Sequence, residues 1–189
     1  GDLDIVSTLS ASDAKRLGNN DKFGVLESKS GEYTNLIIRT DKQPGNHPDF
    51  VLAMKYLQPR EMMVKTVLQG YGTVSNDTPV PPWHPLYNSS LAPRPMDLDK
   101  AKFHLKKAGM AGSSVEIITT PNIEGAVEGG QLIQQIAAGA GLKVNVRRVP
   151  YDGYWASHWM KDPIGYGSIN PRPTLDMLFS QFYLSTASN

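Results

Sequence analysis

The clearest indication of the fold lies in the stretch VEIITTPNIEGAVEGGQLIQQIAAGAGLKVNVRRV, from Val115 to Val149. It begins with the β-branched run of 115–119 and ends with the alternating apolar pattern of 142–149, and both patterns are typical of strands. Between them, from Glu124 to Ala140, apolar residues recur at helical spacing. The stretch therefore predicts a strand, a helix and a strand, which is the unit that connects neighbouring parallel strands.

The same alternation continues on both sides of this stretch. A helix is predicted over 98–108 before it, with Asp97 as its cap. After it, a short aromatic helix is predicted over 151–160, a strand over 164–169 and a helix over 176–183. We therefore predict an α/β fold with a mixed, largely parallel sheet flanked by helices. In such sheets, ligands bind in the loops beyond the carboxyl ends of the strands.

The first half of the chain has weaker patterns. Strands are predicted over 4–6, 23–27 and 33–40, and helices over 10–17, 49–57 and 59–70. Six prolines then fall within the segment of about 71–96, which predicts an extended surface excursion or an interdomain connection. We expect the whole chain, 1–189, to form a single α/β lobe that is a fragment of a longer protein.

Composition excludes several functional classes. With 19 lysines and arginines against 18 aspartates and glutamates, the net charge of +1 gives no general attraction to nucleic acid or to an anionic membrane. The chain has no cysteine, which excludes disulfides, thiolate metal sites and a cysteine nucleophile. The longest apolar run, 136–142, is far shorter than the roughly 20 residues that cross a bilayer.

No pattern of catalytic or metal-binding residues is visible. The four histidines lack the i, i+4 spacing of a helical zinc site, so we predict surface or capping histidines, no metal and no cofactor. A hydrolase that uses a serine with His158 is an alternative that the missing catalytic set disfavours. Three glycines in the helical pattern, Gly125, Gly129 and Gly130, do not open a helix after a strand, and we interpret them as packing sites against the sheet.

Two features are candidates for ligand binding. Tyr151, Trp155 and Trp159 share one face of the predicted aromatic helix, where they form either core packing or the wall of a ligand site. Arg172 lies between two prolines in the loop after the last strand, as either a solvated arginine or a rigid fork for a carboxylate, phosphate or sulfate. The candidate ligand-binding residues are Tyr151, Trp155, Trp159, Tyr166, Asn170 and Arg172.

Five segments in register resemble a known family. They are YTNLIIRTDK (33–42), AMKYLQPREMMVKTVLQGYG (53–72), PVPPWHPLY (79–87), DLDKAKFHLKKAG (97–109) and LKVNV (142–146). Together they resemble the peptide/nickel/opine class of solute-binding proteins of ABC transporters. The resemblance implies most of the second lobe of a two-lobed protein that is periplasmic or lipid-anchored outside the cytoplasm. It also implies a monomer that captures a peptide-like or other small polar solute between its lobes and delivers it to the permease, without covalent chemistry.

The sequence departs from that family at one important loop. Peptide-binding members carry a W-x-A-D-Y loop in which the aspartate pairs with the ammonium group of the ligand. Here Arg172 replaces the aspartate in one register, and Ile169 replaces it in a register shifted by three residues. Because the acidic anchor is missing in both registers, we expect the solute to present an anionic or polar group to this lobe. The alternative is a receptor or chaperone module of the same fold that binds a partner protein.

Overall fold

The computed structural model describes residues 4–187, which build one four-stranded sheet with helices packed against it. The strands are β1 (Tyr33–Ile38), β2 (Ser114–Thr119), β3 (Lys143–Arg148) and β4 (Ile164–Ile169), in the spatial order β1-β4-β2-β3. β2 is parallel to β3 and to β4, whereas β1 is antiparallel to β4. The predicted mixed, largely parallel sheet is therefore confirmed.

The described residues form seven helices, four of which begin at a capping side chain. They are α1 (Ala11–Gly18), α2 (Pro48–Tyr56), α3 (Arg60–Met62, followed by a π-helical turn over Met63–Val67), α4 (Leu98–Lys107), α5 (Ala126–Gly139), α6 (Tyr154–Ser157) and α7 (Leu175–Phe182). Ser10, Asp97 and Thr174 each accept a backbone N–H of the first turn, at α1, α4 and α7 respectively. His47 caps α2 in the same way through Nδ1, which confirms a capping role for that histidine.

α5 packs on one face of the sheet, and its glycines allow a close approach. A Cβ on Gly129 would lie 2.6 Å from Cε of Met63 and 2.7 Å from Oη of Tyr166. A Cβ on Gly130 would lie 3.1 Å from Cγ2 of Thr119. Gly129 and Gly130 are thus packing sites against the sheet, as the sequence predicts, and buried Ile133 adds the apolar contact of the same helix. The prediction is wrong for Gly125, which precedes α5 as its N-cap with a left-handed φ of 73° and lies next to Val67 and Leu68.

The other face of the sheet is covered by the segment between β3 and β4. Tyr154 is 1% exposed, and its hydroxyl donates to the backbone carbonyl of Tyr166 in β4. Trp159 lies over Gly167 of β4, where a Cβ would overlap its ring. The glycines of β4 therefore make room for aromatic side chains on this face.

The arginines of β3 lie at an edge of the sheet. β3 is an edge strand, and both Arg147 and Arg148 are exposed, as is typical of charged residues on edge strands. Arg147 pairs through Nε with Oε1 of Glu116 on the neighbouring strand, at 3.1 Å.

Several predicted elements are wrong or too long. Residues 4–6 and 23–27 form no strand, because they pair with no strand of the described sheet, and Ile5 and Leu26 are 87% and 96% exposed. The aromatic helix predicted over 151–160 contains only the four residues of α6, since Gly153 stands before it with a left-handed φ of 75°. The helix predicted over 59–70 changes to π-helical geometry at Met63.

Candidate ligand site at the carboxyl edge of the sheet

The loops after three parallel strands meet at one edge of the sheet. β2, β3 and β4 all end there, and β1 begins there because Tyr33 is paired with Ile169. We call this edge the carboxyl edge. It is the position at which α/β sheets bind ligands, and the loop that contains Arg172 lies on it.

Arg172 is held in a fixed position by groups of its own loop and of α7. Its Nε donates to Oε1 of Gln181 at 2.6 Å, and its Nη1 donates to the carbonyl oxygens of Asn170 at 3.0 Å and Pro171 at 3.3 Å. The guanidinium also stacks over the ring of Phe182, with its carbon 5.1 Å from the ring centroid. A cation that is immobilised before a ligand arrives loses little conformational entropy on binding an anion.

Two tyrosines next to this loop stay neutral. The hydroxyls of Tyr33 and Tyr183 are 2.7 Å apart, which joins the start of β1 to the residue after α7. Burial raises the pKa of Tyr33 far above its usual value, while the charge of Arg172 acts in the opposite direction. Burial also raises the pKa of Tyr183. The carboxyl edge therefore combines a cation with neutral hydroxyl groups.

Tyr151, Trp155 and Trp159 form a continuous contact that we call the aromatic ladder. Nε1 of Trp155 donates to Oη of Tyr151 at 3.2 Å, and the rings of Trp155 and Trp159 meet edge to face at 5.0 Å. Tyr151 and Trp155 are 42% and 39% exposed, so the core contact of this segment is made by Tyr154 instead. The ladder reaches β4 because Trp159 lies on Gly167, three residues before Asn170.

Tyr166 differs from the other candidate residues because it is buried. It is 2% exposed, and its hydroxyl lies beneath α5 near Gly129 and Met63. Burial raises its pKa, and Oη has no hydrogen-bond partner among residues 4–187. Tyr166 therefore lies inside the lobe, whereas Asn170 and the aromatic ladder are accessible at its surface.

The structure adds Trp83 and Lys29 to this region, neither of which we predicted as a site residue. A Cβ on Gly31 would lie 3.7 Å from Cγ of Pro81 and 3.9 Å from Cβ of Pro171, so the proline-rich segment lies against the loop of Arg172. Trp83 is 42% exposed, and Nζ of Lys29 lies 5.8 Å from its ring centroid. No local sequence signal marks this contact, since it joins three segments that are distant in the chain.

Other polar clusters lie away from the carboxyl edge. His104 contacts Asp49 at 2.7 Å between α4 and α2, and His158 contacts Asp162 at 2.6 Å. A cavity of about 380 Å³ opens at the amino ends of β2 and β4, with Gln43, Met110 and Ser114 among its lining residues.

Within residues 4–187 no group of three or more acidic or histidine side chains could hold a metal ion, and no helix is long and apolar enough to cross a membrane.

The chain belongs to the bacterial extracellular solute-binding proteins, family 5. The profile of the middle region of that family matches residues 1–189, which confirms the resemblance seen in the sequence. This family consists of binding proteins. A search of the curated proteins gives no significant match.

Solved structures of solute-binding proteins share this fold. NikA from Staphylococcus aureus in complex with Ni(L-His)2 aligns with a TM-score of 0.82 and 16% identity, over 95% of this chain and 39% of that one. The binding protein AgaA from A. tumefaciens R10 in complex with agropinic acid gives 0.79 and 22%, over 97% and 38%. DppA from Helicobacter pylori, an ABC transporter-associated periplasmic binding protein in complex with the peptide STSA, gives 0.72 and 23%, over 86% and 31%. This chain thus spans less than two fifths of each of these proteins.

Proposed function

We propose that this chain is one lobe of a two-lobed, monomeric periplasmic protein that captures a small solute and delivers it to the permease of an ABC importer. The family match supports solute binding outside the cytoplasm. The coverage of less than two fifths of the aligned structures supports a second lobe that supplies the remaining contacts. Closure of two lobes around the solute would then expel water and complete the site.

The observation that carries this proposal is the immobilised guanidinium of Arg172 at the carboxyl edge. Its Nε and Nη1 are engaged by Gln181 and by loop carbonyls, and its face is covered by Phe182. This arrangement supports binding of an anionic or polar group of the solute, such as a carboxylate, because a fixed guanidinium is pre-organised for an oxyanion. The aromatic ladder and Asn170 complete the proposed site on this lobe.

We further propose that the protein has no enzymatic activity. The hydrolase alternative requires a serine hydroxyl that His158 activates. Nδ1 of His158 contacts the carboxylate of Asp162 at 2.6 Å, and the ring lies 6.0 Å from the ring of Tyr154, but within residues 4–187 no serine hydroxyl is hydrogen-bonded to the imidazole. These contacts support a structural role for His158 in the segment between β3 and β4.

The charge of Arg172 is tested by reversing it in the complete protein. Arg172→Asp should weaken binding of the solute recovered from the purified wild-type protein by about tenfold or more, since a hydrogen bond to a charged group contributes about 1.5–3 kcal/mol. Calorimetric titration measures the affinity, and Arg148→Gln, at the exposed last arginine of the edge strand β3, is the matched control. Equal affinity of wild type and Arg172→Asp would remove Arg172 from the site.

A further inference from the structure

Three polar side-chain atoms at the carboxyl half of the sheet are buried without a hydrogen-bond partner among the described residues: Oδ1 of Asn35 in β1, Oγ1 of Thr119 at the end of β2 and Oγ1 of Thr120, the residue after β2. Thr119 faces α5, where its Cγ2 lies next to Gly130, so Asn35 and Thr120 are the pair on the opposite face. Thr120 is 0% exposed. Because native structures pair almost all buried polar atoms, such a pair of unsatisfied atoms calls for a physical explanation.

Both atoms flank the same glycine. Asn35 is paired with Gly167 across β1 and β4. On the other side, Ile118 of β2 is level with Gly165, and the same parallel register, continued one residue past the end of β2 at Thr119, brings Thr120 level with Gly167. Side chains that are level across neighbouring strands point to the same face. Asn35 and Thr120 therefore stand on either side of Gly167, on the face that Trp159 covers.

Trp159 fills the space that Gly167 leaves open. A Cβ at Gly167 would overlap the benzene part of the indole ring, so the ring lies directly on the backbone of β4. Trp159 is itself partly exposed. The residue after it, Met160, has a φ of 54°, a left-handed conformation that is costly for a residue with a side chain. The side chain that covers Gly167, Trp159, is thus followed directly by a residue with a strained backbone, Met160.

We propose that Asn35, Thr120 and Gly167 form a polar pocket that the indole of Trp159 closes in the empty lobe. The pocket would take a small uncharged group that carries an N–H or O–H donor, such as an amide or a hydroxyl. Oδ1 of Asn35 accepts a hydrogen bond, and the hydroxyl of Thr120 both donates and accepts. Neither side chain carries a charge, so a carboxylate or an ammonium group would enter without a counter-ion.

The position of this pocket deepens the proposed function and rests on it. Tyr33 lies two residues before Asn35 on the same face of β1, and the charge of Arg172 acts to lower its pKa. Two residues of a strand span roughly 7 Å. The structure therefore fits a solute whose anionic end meets Arg172 and whose amide or hydroxyl group enters beneath Trp159.

The test uses the full chain labelled with 5-fluorotryptophan, in which Trp83, Trp155 and Trp159 give separate fluorine NMR signals. Acetamide is the probe because it carries both a donor and an acceptor, and N,N-dimethylacetamide, which lacks the N–H, is its matched control. We expect acetamide to shift the Trp159 signal saturably and N,N-dimethylacetamide to bind about tenfold more weakly or worse. The Trp83 signal should stay in place.

Two variants test the walls of the pocket. Thr120→Val and Asn35→Leu should each weaken acetamide binding by about tenfold. Thr120→Val should also raise the thermal midpoint of unfolding by about 2–4 °C, because it replaces an unsatisfied buried hydroxyl by an apolar group of the same shape. Thr40→Val, at an exposed threonine, is the control and should change neither quantity.

Three results would overturn the proposal. They are the absence of a saturable Trp159 shift, equal binding of acetamide to Thr120→Val, and a lowered thermal midpoint of Thr120→Val. The last result would mean that a bound water already satisfies the hydroxyl. Acetate, titrated against the Nε–H signal of Arg172, tests the anion site separately, so that failure of the pocket and failure of the proposed function are distinguishable.

Discussion

Two buried tyrosine hydroxyls in this lobe have different surroundings. Oη of Tyr154 donates to the backbone carbonyl of Tyr166, whereas Oη of Tyr166 has no partner within residues 4–187. Removing a satisfied hydroxyl leaves a buried acceptor with one bond fewer. Removing an unsatisfied hydroxyl costs nothing in hydrogen bonding.

This difference predicts opposite outcomes for two chemically identical substitutions. Tyr154→Phe should lower the free energy of unfolding by about 1 kcal/mol, and Tyr166→Phe should leave it unchanged or raise it by up to about 1 kcal/mol. Urea unfolding of both variants measures these changes. Equal losses in the two variants would show that the hydroxyl of Tyr166 is bonded after all.

At the scale of elements, the contact between α2 and α4 depends on the ionised form of one carboxylate. Oδ1 of Asp49 lies 2.7 Å from Nδ1 of His104 and 3.2 Å from Nζ of Lys107. The hydrogen bond from His104, followed by that from Lys107, holds the pKa of Asp49 below its usual value, against the effect of its burial.

A lowered pKa in the folded state gives stability at neutral pH that acid removes. The contribution of Asp49 should be complete above the unfolded pKa of about 4 and should disappear as the pH falls through the lower folded pKa. Urea unfolding at pH 7 and pH 3 should therefore show a smaller loss of stability with acid in Asp49→Asn than in the wild type. Asp99→Asn, at a 97% exposed side chain of α4, should behave as the wild type. An acid response of Asp49→Asn equal to that of the wild type would contradict this account.

Ion pairs of one aspartate with two arginines hold the proline-rich segment (71–96) against the helices. Asp77 pairs with Arg60 of α3 and with Arg94, and all three side chains are at most 30% exposed. Nη1 of Arg60 also donates to the carbonyl oxygen of Arg94 at 2.9 Å. Because the segment contains neither helix nor strand, these contacts take the place of regular secondary structure.

Asp77→Asn should therefore loosen the segment more than the lobe as a whole, because it removes the charge that both arginines share. We expect limited proteolysis to cut between residues 71 and 96 several-fold faster in this variant. Asp41→Asn, which removes the partner of Arg39 at a 60% exposed side chain, is the control and should leave the cleavage rate unchanged. Equal cleavage rates for Asp77→Asn and the wild type would show that the segment is held by other contacts.

The sequence predicts elements well where local pattern and tertiary contact agree. The strand–helix–strand unit that leads to β2, α5 and β3 carries both its apolar periodicity and its packing glycines in one stretch. The strand expected over 23–27 has a similar local pattern, but no described strand lies beside it. A short run of apolar residues indicates a preference for strand, whereas a strand requires a partner.

For the molecule as a whole, the sequence identifies the edge at which a site is expected but not its surroundings. Arg172 follows β4, and its position on the carboxyl edge is as expected from the topology. The helical spacing that places three aromatic side chains together does not show that Tyr154 takes the core position. The approach of Pro81 to the same loop depends on contacts between distant segments, which no local pattern encodes.

For the whole protein, we propose capture of a solute whose anionic or polar group meets Arg172. The most direct test is native mass spectrometry of the complete protein purified from its native host, before and after denaturation. We expect a released small molecule that is acidic or rich in polar groups and that is missing from Arg172→Asp protein prepared in the same way. Release of a peptide with a free α-amino group, at equal occupancy in the wild type and in Arg172→Asp, would contradict it.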